Sequence, residues 1–172
     1  SRRSSEEAVK VALAEAERRV QAIATVHAAL SQNVDESVDF DEVARTIVRM
    51  AGAIASTDHS VEVITTGSFG TIQADQAQAL ATVLNELVAN SVEHGLADRD
   101  GLIEVRAERE GTSMTVTVAD NGVGFVPGTP MSGLGTQIVH QMVRGELKGS
   151  IEWTPREGGG TLVTLHANLD PA

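Results

Sequence analysis

The sequence predicts an α+β fold in which a mixed, mostly antiparallel sheet carries helices on one face, preceded by a long N-terminal helix. Most of the 16 glycines follow position 94, so we expect helices in the first half and strands joined by turns in the second. Apolar residues recur at helical spacing early in the chain and alternate with polar residues later. This order of elements is typical of an antiparallel sheet covered by helices on one side.

The first two elements are predicted helices. The first runs from Ser5 to about Ser31, with apolar or small residues at alternating steps of four and three. These residues are Val9, Leu13, Ala16, Val20, Ile23, His27 and Leu30. They form a narrow stripe that requires a partner helix, so half of a helical hairpin is expected. The second helix begins with Asp39 or Asp41 as its N-cap and runs to about Ile54.

Two strands and a helix follow. Strands are predicted for VEVITTG (61–67) and for the short stretch around Thr71-Ile72. The next segment, from Ala74 to about His94, has the periodicity of an amphipathic helix, and Gly95 is expected to be its C-terminal cap.

The second half of the chain begins with a predicted hairpin. Residues 102–110 and 113–120 alternate as two strands that turn at Gly111. After them we expect a glycine-rich stretch (121–135), a helix (about 136–145) and strands near 150–154 and 161–167.

Composition excludes several classes of protein. A net charge of −11 argues against a nucleic-acid partner, because such partners require clustered Lys and Arg. The absence of cysteine excludes disulfides and is compatible with a cytoplasmic location. No apolar run approaches the roughly 20 residues that span a bilayer. Since the sequence does not begin with Met, we expect a piece of a longer protein, itself either soluble or membrane-associated.

Familiar catalytic motifs do not occur. A P-loop requires a Gly-Lys-Ser/Thr ending, but the lysines are Lys10 and Lys148, and Lys148 precedes its glycine. The sequence also lacks His-Glu-x-x-His, Gly-x-Ser-x-Gly and the dinucleotide-binding Gly-x-Gly-x-x-Gly. Zinc proteases, α/β-hydrolases and conventional dinucleotide-binding proteins are therefore excluded.

The segment LNELVANSVEHG (84–95) is the first candidate site. Glu86, Asn90 and His94 follow one another at i, i+4 and i+8 of the predicted helix, along one face. An Asn carbonyl oxygen suits Mg²⁺, and Glu86 can accept a proton or orient a nucleophile. The alternative interpretation is a solvated polar stripe on an amphipathic helix.

The segment DNGVGF (120–125) is the second candidate. Asp120 ends a strand of alternating apolar residues, and Gly122 and Gly124 let the backbone turn tightly beside a ligand. A carboxylate suits the exocyclic amino group of adenine. An isolated Asp-Asn-Gly favours a β-turn instead, but Asp-x-Gly-x-Gly-Phe after such a strand is more specific.

Two further segments contribute glycines. In SGLGTQIV (132–139) a glycine pair opens a helix whose first amides favour phosphate; the alternative is a flexible loop with Ser132 as an ordinary N-cap. In GGGT (158–161) the hydroxyl of Thr161 can reach the adenine edge beside Asp120, although the segment alone is simply a loop.

Together, in this order, the four segments resemble the GHKL superfamily of ATP-binding domains, from about residue 60 to 168. The resemblance implies a Bergerat α/β sandwich that binds ATP and Mg²⁺. It also implies roles for individual residues: Mg²⁺ coordination by Asn90, an acidic position at Glu86, adenine recognition by Asp120, a pocket floor at Gly122 and Gly124, phosphate contacts from Gly133, Leu134, Gly135 and Thr136, and support of the adenine by Thr161. Glu93 departs from the pattern, because many histidine kinases have a basic residue there; His94 or an arginine would then contact phosphate.

The subfamily is suggested by two further features. Only seven residues, Phe125 to Met131, separate the glycine segments, a short lid similar to that of histidine kinases with the second type of dimerisation domain, or of anti-sigma serine kinases. Residues 12–32 resemble the second half of that dimerisation and phosphoacceptor domain. We therefore expect residues 1–35 to be half of its helical hairpin and 36–172 to be the ATP-binding catalytic domain. His27 lies on the apolar stripe and is interpreted as a core histidine, so the phosphoacceptor would lie outside this chain.

The resemblance implies the catalytic domain of a two-component sensor histidine kinase. It would transfer the ATP γ-phosphate to a histidine, with Glu86 and His94 as catalytic residues, and the full-length protein would pass it to a response regulator receiver domain. This piece is expected not to phosphorylate itself, and its N-terminal helix can pair with its own dimerisation domain or form a homodimer. Alternatives are an anti-sigma serine kinase, a nucleotide-binding domain without transfer, and an ATPase clamp of the gyrase or MutL type.

Overall fold

The structure is a computed structural model that describes residues 2–31, 36–54, 59–128 and 133–172. Four α-helices lie in these ranges: α1 (Arg2–Ser31), α2 (Phe40–Ile54), α3 (Ala74–Asn90) and α4 (Leu134–Gly145). A π-helical turn, Ser91–Gly95, continues α3 directly. The strands are β1 (Ser37–Asp39), β2 (Val61–Gly67), β3 (Thr71–Gln73), β4 (Gly101–Glu110), β5 (Ser113–Asp120), β6 (Ser150–Pro155) and β7 (Thr161–Asn168).

The main sheet has five strands in the order β2-β4-β5-β7-β6. Only β2 and β4 pair in parallel; the other three pairings are antiparallel. The alternation of buried and exposed residues along a strand shows which face of the sheet the helices cover. In β5, Met114, Val116 and Val118 are buried, whereas Thr115 and Thr117 between them are partly exposed. One face of the sheet therefore carries the core, and the predicted mixed, mostly antiparallel sheet with helices on one face is confirmed.

The core between sheet and helices is almost entirely aliphatic. Helix α3 contributes a run of buried side chains that includes Leu80, Leu84 and Leu87, and it packs between α2 and α4. The two fully buried aromatic residues, Phe40 and Phe69, pack against each other with ring centroids 5.0 Å apart and ring planes tilted by 54°. Val, Leu, Ile and Ala thus fill a space that larger rings fill in other domains, as the scarcity of aromatic residues requires.

Asp41 holds the start of α2 against the loop between β2 and β3. Its carboxylate accepts hydrogen bonds from Phe69 N (2.9 Å), Gly70 N (3.1 Å) and Ser68 Oγ (2.8 Å). Burial by itself raises the pKa of Asp41, but these hydrogen bonds and the nearby Arg45 outweigh it and lower the pKa below its usual value. Of the two predicted N-caps, Asp39 is the one that caps α2, since its Oδ1 accepts from Asp41 N at 3.1 Å.

Several boundaries differ from the predictions. Strand β1, which pairs with β3, was not predicted, because a three-residue strand has too little alternation to be recognised. Helix α4 begins at Leu134 rather than near 136, and the alternative N-cap Ser132 lies outside the described residues. Helix α3 ends at Asn90, and Gly95 does not have the left-handed conformation of a glycine C-cap. The expected cap at Gly95 is therefore wrong.

The long helix α1 begins at Arg2, slightly before the predicted Ser5, and contacts α3. Its apolar stripe is uncovered: Val9, Leu13, Val20 and Ile23 are each more than half exposed. His27 is exposed as well; its expected core position depends on the partner helix of the hairpin and stays a prediction. Across the described helices, none combines the length and apolarity needed to cross a membrane.

Candidate functional site

Asp120 lies at the end of β5, between two neighbouring strands. It is opposite Ile103 of β4 and Thr161 of β7, and only 3% of its surface is exposed. One carboxylate oxygen, Oδ1, accepts hydrogen bonds from Gly122 N (2.9 Å) and Thr161 N (3.4 Å). Among the described residues none donates to Oδ2. The backbone thus orients a buried carboxylate and leaves one of its oxygens as an acceptor for a ligand.

Gly122 touches the end of the π-helical turn. Val123 N donates to Gly95 O at 3.0 Å, and a Cβ on Gly122 would overlap the same carbonyl. Only glycine allows this approach of loop and helix end. Gly95, predicted only as a helix cap, therefore also belongs to the surroundings of Asp120.

The third side of the Asp120 site is the loop that leads into β7. Gly160 has a φ of 100°, and a Cβ there would overlap the carbonyl oxygen of Asp120. Gly124, with a φ of 69°, lies against Gly160. Because β5 and β7 are adjacent, the segments DNGVGF and GGGT meet at one edge of the sheet, and Thr161 lies beside Asp120 as the resemblance implies.

Asn121 fixes the loop that follows Asp120. Its Oδ1 accepts from Leu102 N at 2.9 Å, and its own N donates to Leu102 O at 3.3 Å. This two-point attachment to β4 holds the first residue after Asp120 in place. Asn121 is not among the predicted site residues, although an Asn that precedes glycine at a strand end is a signal for such a side-chain-to-backbone bond.

Glu86 and Asn90 lie one turn apart on α3 and are both half-buried. His94 lies in the π-helical turn and is exposed. In this turn Leu96 N donates to Ser91 O at 2.9 Å, five residues back, so the backbone is wound more widely than in α3. The described residues contain no cluster of three or more His, Cys, Asp or Glu that could hold a metal ion.

The backbone amides at the start of α4 meet no capping side chain among the described residues. Gly133 is its N-cap, with a φ of 129°, and no described side chain caps the helix. Gly135 and Thr136 are buried in the first turn, whereas Leu134 is 58% exposed. Unpaired amides at a helix N-terminus, with the helix dipole, favour negatively charged groups such as phosphate.

The other three histidines have structural neighbours. His140 of α4 packs on Trp153 of β6 with ring centroids 5.3 Å apart. On the uncovered face of the sheet, the His166 ring hydrogen-bonds Thr115 Oγ1 at 3.0 Å. Before β2, His59 lies 3.9 Å from an Asp100 oxygen. None of these contacts involves Asp120, and a structural role for the three histidines stays a prediction.

Two family models match the chain. The model described as "Histidine kinase-, DNA gyrase B-, and HSP90-like ATPase" matches residues 75–171, and a second one described as "Histidine kinase" matches residues 1–54. Among curated proteins, the chain is 39% identical to the sensor histidine kinase PdtaS of Mycolicibacterium smegmatis over 174 residues. That match covers 98% of this chain but 35% of the relative, so the chain spans about a third of the relative's length.

Solved structures show the same fold. The histidine kinase domain of the Erythrobacter litoralis EL346 blue-light-activated histidine kinase superposes with a TM-score of 0.68 at 23% identity, covering 89% of this chain and 74% of that one. The ATP-binding domain of PrrB from Mycobacterium tuberculosis gives a TM-score of 0.64 at 21% identity, covering 79% of this chain and 99% of that one. At these identities the likeness is one of fold alone.

Proposed function

The chain belongs to the family of histidine kinase-, DNA gyrase B- and HSP90-like ATPases, and we propose that its Asp120 site binds ATP for phosphoryl transfer to a histidine. It is a histidine kinase ATPase domain related to sensor histidine kinases such as PdtaS. The anti-sigma alternative is not supported, because the residues before the ATPase domain match a histidine kinase model and the similarity to PdtaS extends over 98% of the chain.

The observation that carries the proposal is the buried Asp120 carboxylate. Its Oδ1 is occupied by two backbone N–H groups, which leaves Oδ2 to accept from the 6-amino group of adenine. A buried carboxylate without a complementary donor is costly, so a bound amino group stabilises it. Gly122 and Thr161 border this carboxylate with backbone and a small side chain, and Gly124 lies against the adjoining Gly160, which suits a flat base.

Phosphate and Mg²⁺ binding are proposed for the residues on the helices. The amides of Gly133, Leu134, Gly135 and Thr136 would contact the phosphates, because they open α4 and no side chain in the described ranges caps it. The amide oxygen of the half-buried Asn90 would be the protein ligand of Mg²⁺. When bound, Mg²⁺ supplies neutralisation of the phosphate charge.

Glu86 and His94 are proposed to act on the incoming imidazole of the acceptor histidine. Glu86 can hold the proton of the imidazole, and the exposed His94 can contact the phosphate, where Glu93 supplies no positive charge. Because the barrier of phosphoryl transfer depends mainly on positioning and charge, these residues would act by orienting the reactants.

For the whole protein we propose a dimer that passes phosphate to a response regulator. Residues 1–35 would form half of the dimerisation hairpin and 36–172 the catalytic domain, with the acceptor histidine outside this sequence. The exposed apolar stripe of α1 is the surface expected to pair with the other half of the hairpin or with a second copy. Incubated alone with ATP, this piece should not acquire phosphate on His27.

The Asp120→Asn variant tests the proposed function directly. Asn keeps an Oδ1 acceptor for Gly122 N and Thr161 N, so the fold should survive, but it turns an NH₂ donor toward the adenine amino group. Calorimetry should show at least a tenfold loss of ATP affinity, as expected when a charge-assisted hydrogen bond of about 1.5–3 kcal/mol is removed. Asp98→Asn, at an exposed carboxylate, is the control and should bind like wild type. Unchanged affinity in Asp120→Asn would refute the adenine contact.

A further inference from the structure

We propose that Gly95 is a positioning residue for base recognition, because its missing side chain leaves the space that the Asp120 carboxylate occupies. The inference rests on the proposed function, since it concerns how Asp120 recognises the base. Gly95 ends the π-helical turn and is buried. A Cβ built on it would lie 3.0 Å from Cγ, Oδ1 and Oδ2 of Asp120.

Backbone conformation does not explain this glycine. Nine described glycines have the positive φ that side chains disfavour, but Gly95 is not among them. An alanine could therefore adopt the same backbone, and only its methyl group would be in conflict. The three atoms nearest to that methyl group all belong to the carboxylate of Asp120.

The carboxylate has little freedom to move away. Gly122 N and Thr161 N hold its Oδ1, and the backbone of Gly95 is itself tied to the same loop by Val123 N. A methyl group at position 95 would displace the carboxylate by a few tenths of an ångström or rotate it. Either movement misdirects Oδ2, the oxygen proposed to accept from adenine.

The π-helical turn explains why the contact exists. Leu96 N reaches back five residues to Ser91 O, and this wider winding sets the position of Gly95 at the end of the helix. Gly95 consequently touches the Asp120 side chain and the Gly122 backbone at once. The end of the helix that carries Asn90 is thus joined directly to the adenine-binding carboxylate.

The test compares ATP with purine riboside 5′-triphosphate, which lacks the 6-amino group. Calorimetry on wild type should show ATP binding about tenfold or more tightly than this analogue. In Gly95→Ala, ATP affinity should fall to that of the analogue, while affinity for the analogue stays within about twofold of wild type. Gly145→Ala is the matched control, because Gly145 is helical, exposed and has no atom within 4 Å of an added Cβ.

Each result separates the two proposals. Gly95→Ala overturns the inference if it keeps the wild-type preference for ATP, or if it weakens both nucleotides equally. If wild type binds the two nucleotides with equal affinity, the contact with the 6-amino group does not exist, and the proposed function is contradicted.

A second measurement covers the case in which Gly95→Ala folds poorly. If the methyl group of Gly95→Ala conflicts with the Asp120 carboxylate, shortening Asp120 to Ala should relieve the conflict. Gly95→Ala should therefore lower the thermal midpoint of unfolding less in an Asp120→Ala background than in wild type. Equal lowering in both backgrounds overturns the inference.

Discussion

Gln76 has a buried side-chain amide, and its replacement should destabilise the fold without changing the affinity for ATP. It lies in the first turns of α3, with 3% of its surface exposed. Its Nε2 donates to Glu146 O (3.0 Å) and Asn168 O (3.3 Å), and its Oε1 accepts from Asp170 N (2.7 Å). One side chain therefore joins α3 to the end of α4 and to the chain after β7.

The Gln76→Met variant removes all three hydrogen bonds while keeping an unbranched side chain of similar length. At a net value of about 1 kcal/mol each, their loss costs about 3 kcal/mol. Glu146 and Asn168 lie at the surface, where water can partly replace the lost donor, so we expect a decrease of about 2–3 kcal/mol in the free energy of unfolding.

Urea unfolding of Gln76→Met should be compared with that of Gln78→Met. Gln78 is in the same helix but exposed, so its variant should lie within about 0.5 kcal/mol of wild type. ATP affinity should be unchanged in both variants, because Gln76 is at the opposite end of α3 from Asn90. Equal unfolding free energies for Gln76→Met and wild type would show that the three hydrogen bonds do not hold these elements together.

Two further variants test separate features. Because hydrogen bonds lower the pKa of Asp41 in the folded state, its ionised form stabilises the fold at neutral pH, and this contribution is lost as the pH falls through that pKa. At pH 7, Asp41→Asn should thus unfold at a lower urea concentration than wild type, and the difference between the two midpoints should disappear below about pH 4. A difference that does not depend on pH would contradict this. Asn90→Ala should bind ATP with an affinity that Mg²⁺ no longer raises, measured by calorimetry with and without the metal. If Mg²⁺ strengthens its binding as much as in wild type, Asn90 is not the ligand.

Much of the fold could be predicted because the relevant signals are local. The alternation of apolar and polar residues in 102–110 and 113–120 predicts the β4–β5 hairpin, and helical periodicity predicts α2 and most of α3. Strand β1 could not be predicted, because Ser37–Asp39 becomes a strand only through its pairing with β3, more than thirty residues later. No described helix covers the apolar stripe that contains His27, so the burial of this histidine depends on a partner helix and not on the local pattern.

The sequence alone determined the chemistry available at the site. The order of Asn90, Asp120, the glycine pairs and Thr161 was sufficient to indicate the ATPase family, because these residue types are read directly from the chain. Their assigned roles stay predictions that the variants above test.

Only the tertiary structure decided how Asp120 is held. The hydrogen bond from Gly122 N is local, but Thr161 N reaches Oδ1 only because β5 pairs with β7, and the space around the carboxylate depends on where the π-helical turn places Gly95. The contacts with Thr161 and Gly95 join segments far apart in sequence. Local propensity specifies the conformation of a segment, whereas the packing of one segment against another specifies such contacts, and therefore the sequence patterns could not reveal them.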